Sequence, residues 1–370
     1  MRSSTSNSDI HLTRRTLPEG RWLVPFATGV VLLLLVVGML EGALAARGFR
    51  ATVVDSPALW ARERLHASEA GRHALILVGA SRAQLDVDLG ALAEATGKQP
   101  VQLAIDGSSY VSVLADLAAD DRVSGTVIVD YQGGVPDPDF QDASMRYVEY
   151  WRHRERTGTT YDFQRMENAL AAWRQGTLRS YADGAGPFAA LVSRVLAPRA
   201  TPQYLVTLPT RSRDADYSRV SMPAFYYQRV MRNAGIEGLP ALPDYAAVDK
   251  ALADRISGLP QASTANLVEN VGRLGRMVHR IEARGGKVIF VMFPRSGLVR
   301  AADDVIYPRA VFWDRIVPLV GGKGLYYADE PSLRDFTCPD GSHLDVRDKR
   351  RFTLALAKAL EARGWISAGT

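Results

Sequence analysis

Two kinds of apolar pattern run along the chain. The first is continuous: residues 23–40, LVPFATGVVLLLLVVGML, hold no charged side chain over 18 positions. Carried on to Ala46 past Glu41, the run reaches about 24 residues, enough to cross a bilayer as a helix. The second is broken into short pieces: ALILV (74–78), VQLAI (101–105), TVIVDY (126–131), KVIFVMF (287–293) and GLYYAD (324–329). Short apolar runs without alternation suit strands buried on both faces of a parallel sheet. Helical spacing fills the gaps between them. Leu89, Leu92 and Ala93 precede Gly97; Val111, Leu114 and Leu117 share a face; Leu267, Val271, Leu274, Val278 and Ile281 lead to Gly285. VFWDRIVPLV (311–320) predicts a further helix, and a last one over about 346–363 carries Phe352, Leu354, Leu356 and Leu360. Strands that alternate with helices predict an α/β domain with right-handed crossovers.

From about 140 to 260 this regularity fails. Aromatic and arginine-rich stretches such as MRYVEYWRHRER and MENALAAWRQG, with Pro198 and Pro202 breaking APRATP, read as a helical insertion without an assignable topology. The expected organisation is a cytoplasmic tail over 1–22, a transmembrane signal anchor over 23–46, a polar helical stalk over 47–72, and an α/β domain over 73–370 interrupted at 140–260. A cleaved signal peptide competes with the anchor, because ALAA at 43–46 suits a signal peptidase and Arg14, Arg15 and Arg21 form a positive region. The longer apolar core favours the anchor. Arginines flank the segment on both sides, so charge does not orient it, but anchor and signal peptide alike would carry the large domain across the inner (cytoplasmic) membrane to face the periplasm or exterior.

Composition removes several classes. The chain is 47% hydrophobic and 23% charged, as in ordinary folded proteins. Its 45 basic residues are nearly matched by 40 acidic ones and scattered, so the net +5 forms no basic stripe and nucleic-acid binding is not expected. The single cysteine, Cys338, excludes an internal disulfide framework and any multi-cysteine metal site, and suits a small packed residue. No phosphate-cradling glycine loop and no ligand cluster occurs, so neither a cofactor nor a metal is expected.

Chemistry in a parallel sheet collects beyond the carboxyl ends of the strands. Three candidates fall there: Ser81 in GASR after the first strand, Gly107 in DGSS after the second, and Gln132 after the third. Far along the chain, CPDGSHLD places Asp340 and His343 three residues apart just before the last helix. Such a pair supplies what a serine hydroxyl lacks at neutral pH, a base and a group that holds the base in one tautomer. Taken alone, Ser81 reads first as a helix cap or a turn rather than a nucleophile, and Asp340-Gly341 as a turn. His11, His66, His73, His153 and His279 read as solvated or structural. Arg82, beside the serine, and Arg295, in FPRSG after the fourth strand, are candidates for binding an anionic substrate, against a plain surface role.

Gly79-Ala80-Ser81, Gly107 and Asp340-x-x-His343, in that order, resemble the blocks of the SGNH (GDSL-like) hydrolase superfamily. With the membrane segment and the insertion, the chain is most similar to its membrane-anchored envelope members, such as those of alginate O-acetylation and teichoic-acid D-alanylation. The resemblance implies a flavodoxin-like three-layer sheet, a Ser81-His343-Asp340 triad, and an oxyanion hole from the Ser81 and Gly107 amides. The third block departs from the pattern: VDYQGG has no Gly-x-Asn-Asp, and Gln132 stands as the amide in its place. The activity implied is O-acyl transfer or ester hydrolysis on a cell-envelope polysaccharide, beside a membrane-bound O-acyltransferase. The alternative is an inactive binding or assembly subunit on the same scaffold.

Overall fold

A computed structural model describes residues 22–135, 142–157, 163–238 and 244–367. Its centre is a five-stranded parallel sheet of β1 (Ala74–Val78), β2 (Gln99–Gln102), β3 (Thr126–Asp130), β6 (Lys287–Met292) and β7 (Lys323–Tyr326). The insertion adds β4 (Leu205–Thr207) and β5 (Arg213–Ala215), paired antiparallel as a separate ribbon. The sheet order β2-β1-β3-β6-β7 is that of doubly wound sheets of the flavodoxin kind, in which the direction of winding reverses between β1 and β3. All five residues of β1 and of β3 are buried, as the unbroken apolar runs require. Helices Val111–Ala119 and Leu267–Glu282 pack together, as do Leu89–Thr96 and Val346–Ala362.

Three expectations are corrected. The stretch expected as a stalk contains helix Pro57–Glu69, which packs on β1, β2 and helix Ala143–Thr157. Trp60 is fully buried there and its indole N–H donates to the Leu103 carbonyl at 3.0 Å. Arg64, also buried, is held by Asp116 at 2.8 Å and Asp120 at 3.1 Å. Charged letters had hidden this face, because the cations that make it read as polar are consumed internally. Second, the helix expected over 311–320 is two short ones, Arg309–Phe312 and Ile316–Leu319. Third, Leu354 of the last helix faces outward, whereas Phe352, Leu356 and Leu360 are buried.

Helix Leu23–Ala46 has a mean hydropathy of 2.6 and none of that window is buried, so it is long and apolar enough to cross a membrane. The insertion is mainly helical: Ala143–Thr157 packs on Pro57–Glu69 and Val111–Ala119, and Ala224–Ala234 and Tyr245–Ser257 pack on Gly297–Ile306. Residues 1–21, expected as the tail, lie outside the described residues.

Candidate active site

The chain leaves β1 through Gly79, whose φ is +142° and whose added Cβ would stand 2.4 Å from the Asp130 Cβ. Only glycine suits both the backbone angle and the close approach. Ala80 follows in extended conformation, and Ser81 opens a short helix, Ser81–Leu85. Its N–H therefore belongs to the first-turn donors that no helical carbonyl satisfies. Asp130, at the end of the neighbouring β3, accepts the Ala80 N–H at 3.2 Å and so braces the turn from beneath.

His343 reaches the same point from the other end of the chain. Its Nε2 lies 2.8 Å from Ser81 Oγ and its Nδ1 lies 2.8 Å from Asp340 Oδ2. The other oxygen, Asp340 Oδ1, accepts the Ser342 and His343 N–H groups at 2.9 and 2.8 Å, so the aspartate fixes its own loop as well as the imidazole. Gly341 makes this turn possible with φ +83°, and a Cβ there would stand 2.5 Å from Val299 Cγ2. Ser296 clamps the loop twice, donating its N–H to the Gly341 carbonyl at 3.0 Å and accepting the Cys338 N–H on Oγ at 2.9 Å. Buried Asp86 accepts the Leu344 N–H at 2.8 Å. Cys338 is buried, and burial pushes its thiol well above the usual range, in keeping with a packing role.

Electrostatics favour the base form of the pair. Burial would raise Asp340, but the His343 hydrogen bond, the loop N–H donors and the Arg229 guanidinium hold it well below the usual carboxylate range. Burial lowers His343 below its ordinary 6.5; Asp340 opposes this, and Arg229 and Arg82 add to it. The imidazole is thus neutral at pH 7, with Nδ1 donating to the aspartate and Nε2 free to accept a serine proton.

A cleft of about 820 Å³ opens over this triad, lined among others by Ser81, Gly107, Gln132, Arg229, Arg232 and His343. Gly107 lines the cleft with φ +68°, and a Cβ there would meet no atom within 4 Å. Gln132 lines the cleft, but its Nε2 donates to the Ser108 carbonyl at 3.0 Å. Arg82 lines the cleft too, while its Nη1 sits 3.8 Å from Asp130 Oδ1. Arg295 does not reach it: buried, it pairs with Asp303 at 2.7 Å beside a separate small cavity. Its expected substrate contact is corrected, because the chain turns inward after β6 and Asp303 captures the guanidinium.

Four residues of the site went unread in the sequence. Asp130 carried a visible sign, a carboxylate ending an otherwise apolar strand. Asp86 and Tyr217 carried none; the Tyr217 N–H donates to Asp345, which in turn caps the last helix. Arg229 carried none either: it lies in the insertion, 111 positions from Asp340, yet its Nε is 3.1 Å from Asp340 Oδ2. Among the described residues no group of His, Cys, Asp and Glu is placed to hold a metal ion. No protein-family model matches this chain, and no curated protein or solved structure matches it either.

Proposed function

We propose that the protein is a membrane-anchored serine acyl-ester enzyme of SGNH type, an O-acyltransferase or esterase acting on a cell-envelope polysaccharide. The observation that carries this reading is the unbroken Ser81–His343–Asp340 hydrogen-bond chain, with both links at 2.8 Å, at the floor of an open cleft. In the reaction, Ser81 Oγ attacks the acyl carbon while His343 Nε2 takes its proton. Negative charge on the acyl oxygen is met by the Ser81 and Gly107 N–H groups. Collapse breaks the ester bond as His343 returns the proton to the leaving alcohol, and the acyl group stays on Ser81. Water or a sugar hydroxyl, deprotonated by the same imidazole, then takes the acyl group and frees the serine. No cofactor enters this sequence.

Arg82, Arg229 and Arg232 at the cleft suit a polysaccharide or donor with negative charge. The apolar N-terminal helix suits an inner-membrane anchor with the large domain on the periplasmic or outer side, near a membrane-bound O-acyltransferase partner. A fluorophosphonate probe tests the central claim. Wild-type protein is expected to be labelled and Ser81→Ala, folded to the same melting temperature, not; an unlabelled, folded wild type sinks the enzymatic reading. One observation favours the second reading, an inactive binding or assembly subunit: the Gln132 amide, the only side chain in the third-block position, is tied to Ser108. That reading predicts glycan binding without labelling.

A further inference from the structure

The part of the insertion nearest the membrane helix carries an apolar surface that the described chain does not cover. Helix Phe163–Thr177 has no buried residue, although helix stability in proteins normally rests on a packed face. Its large apolar side chains fall at 163, 166, 170 and 173, a single stripe at three- and four-residue spacing. They are the exposed ones, from 87% for Phe163 to 58% for Leu170. The opposite side rests on the domain, through Gly176 against Pro209 and through Gln175, which accepts the Val54 N–H at 2.8 Å. A second segment, Pro187–Ala190 and Leu191–Val195, turns Ala190 inward and leaves Phe188, Val192 and the following Leu196 exposed.

Both segments are held at the C-terminal end of the helix Leu23–Ala46. Glu41 accepts the Arg179 and Ser180 N–H groups at 2.8 and 2.9 Å. Leu44 is buried with Ala190 and Phe49, and Leu40 and Val195 pack on them. The turn Arg179–Gly184 touches the membrane helix, helix Phe163–Thr177 and segment Pro187–Ala190 alike. The stretch of membrane helix before these contacts, 23–39, is about 26 Å long at 1.5 Å per residue, close to the hydrocarbon thickness of a bilayer. The membrane surface therefore falls at the level of these two segments. Their charge leans toward such a surface: residues 163–199 carry five arginines, of which Arg179 pairs with Glu41 and Arg194 with Asp183, against one further acid, Glu167, and Trp173 and Tyr181 are residues that favour the interface.

We propose that helix Phe163–Thr177 and segment Pro187–Leu196 lie in the interfacial layer of the bilayer, with their apolar stripes among the acyl chains, seating the catalytic domain on an anionic membrane. The inference rests on Leu23–Ala46 crossing that bilayer, and it is independent of the acyl-transfer chemistry. Single cysteines at Leu33, Leu170, Val192 and Lys358, in the full chain with Cys338→Ala, would be nitroxide-labelled and placed in nanodiscs of phosphatidylcholine and phosphatidylglycerol. Spin-relaxation accessibility to oxygen and to a water-soluble nickel chelate reads their depth; each introduced site is exposed, and circular dichroism checks the fold. Labels at 33, 170 and 192 are expected to collide more with oxygen, and the label at 358 more with nickel. Lipid exposure at 33 with water exposure at 170 and 192 overturns the seating alone; water exposure at 33 overturns the anchor and the seating together. Labels at 170 and 192 shielded from both reagents mean that protein covers the stripe, and also overturn it.

Discussion

At the scale of the residue, the site is a set of buried polar groups, and in the proposed mechanism their balance sets the reactivity of the Ser81 hydroxyl. Asn in place of Asp340 keeps the shape but favours the wrong imidazole tautomer, as in other serine triads. Asp340→Asn is expected to slow inactivation by a fluorophosphonate by roughly 10³-fold or more, read from the second-order rate constant. The same balance fixes the pH response. His343 titrates below 6.5 in the folded chain, so labelling should be flat through neutral pH and fall only on the acid side of 6.5. The sign for stability agrees: a fold that favours the neutral imidazole keeps that contribution above about pH 6.5 and loses it as pH drops through the lower native value. Arg229 lowers His343, so Arg229→Gln should move the acid limb of the rate profile to higher pH. A limb that does not move would mean that Arg229 serves packing alone. Ser81, Asp340 and His343 were legible as candidates because residue type, position after the first strand and the three-residue Asp–His spacing are all visible locally. Asp130 was half legible, and Arg229 was not, since an arginine in an unassigned insertion looks like any solvated one until the fold carries it to Asp340.

At the scale of the element, two tight turns carry the triad. Gly79 and Gly341 both have positive φ and no room for a Cβ, against Asp130 and Val299 respectively. Gly341→Ala combines backbone strain of about 1–3 kcal/mol with a clash against Val299. Thermal unfolding should show a clear loss of stability, and labelling should fall further than stability does, since the loop also aims His343. Helix Pro57–Glu69 is the element that the sequence pattern misassigned. If it is an integral layer, Trp60→Ala should cost about 3–5 kcal/mol, the range for large aromatic truncations in cores; a true stalk would lose almost nothing. Denaturant unfolding decides between these. The strands were legible because buried parallel strands announce themselves by composition alone. The ribbon of β4 and β5 was not, because three-residue strands carry no periodicity.

At the scale of the whole molecule, the sheet reversal between β1 and β3 puts Ser81 and Asp130 side by side, and the last loop brings His343 above them. The apolar N-terminal helix joins this assembly through Glu41 and Leu44 rather than through a free tether. With that helix as the proposed anchor, membranes carrying the protein should release it with detergent but not with high salt or carbonate, measured by fractionation and immunoblot. What the sequence determined by itself was the parallel α/β class, the apolar N-terminal segment and three candidate side chains, Ser81, Asp340 and His343. Each depends on short-range periodicity or on intrinsic chemistry. Tertiary structure alone decided that the three meet within 2.8 Å, that Arg229 joins them and Arg295 does not, and that the supposed stalk is core. Those outcomes depend on contacts between positions tens to hundreds of residues apart, where one sequence carries no local signal of which charge will be captured by which.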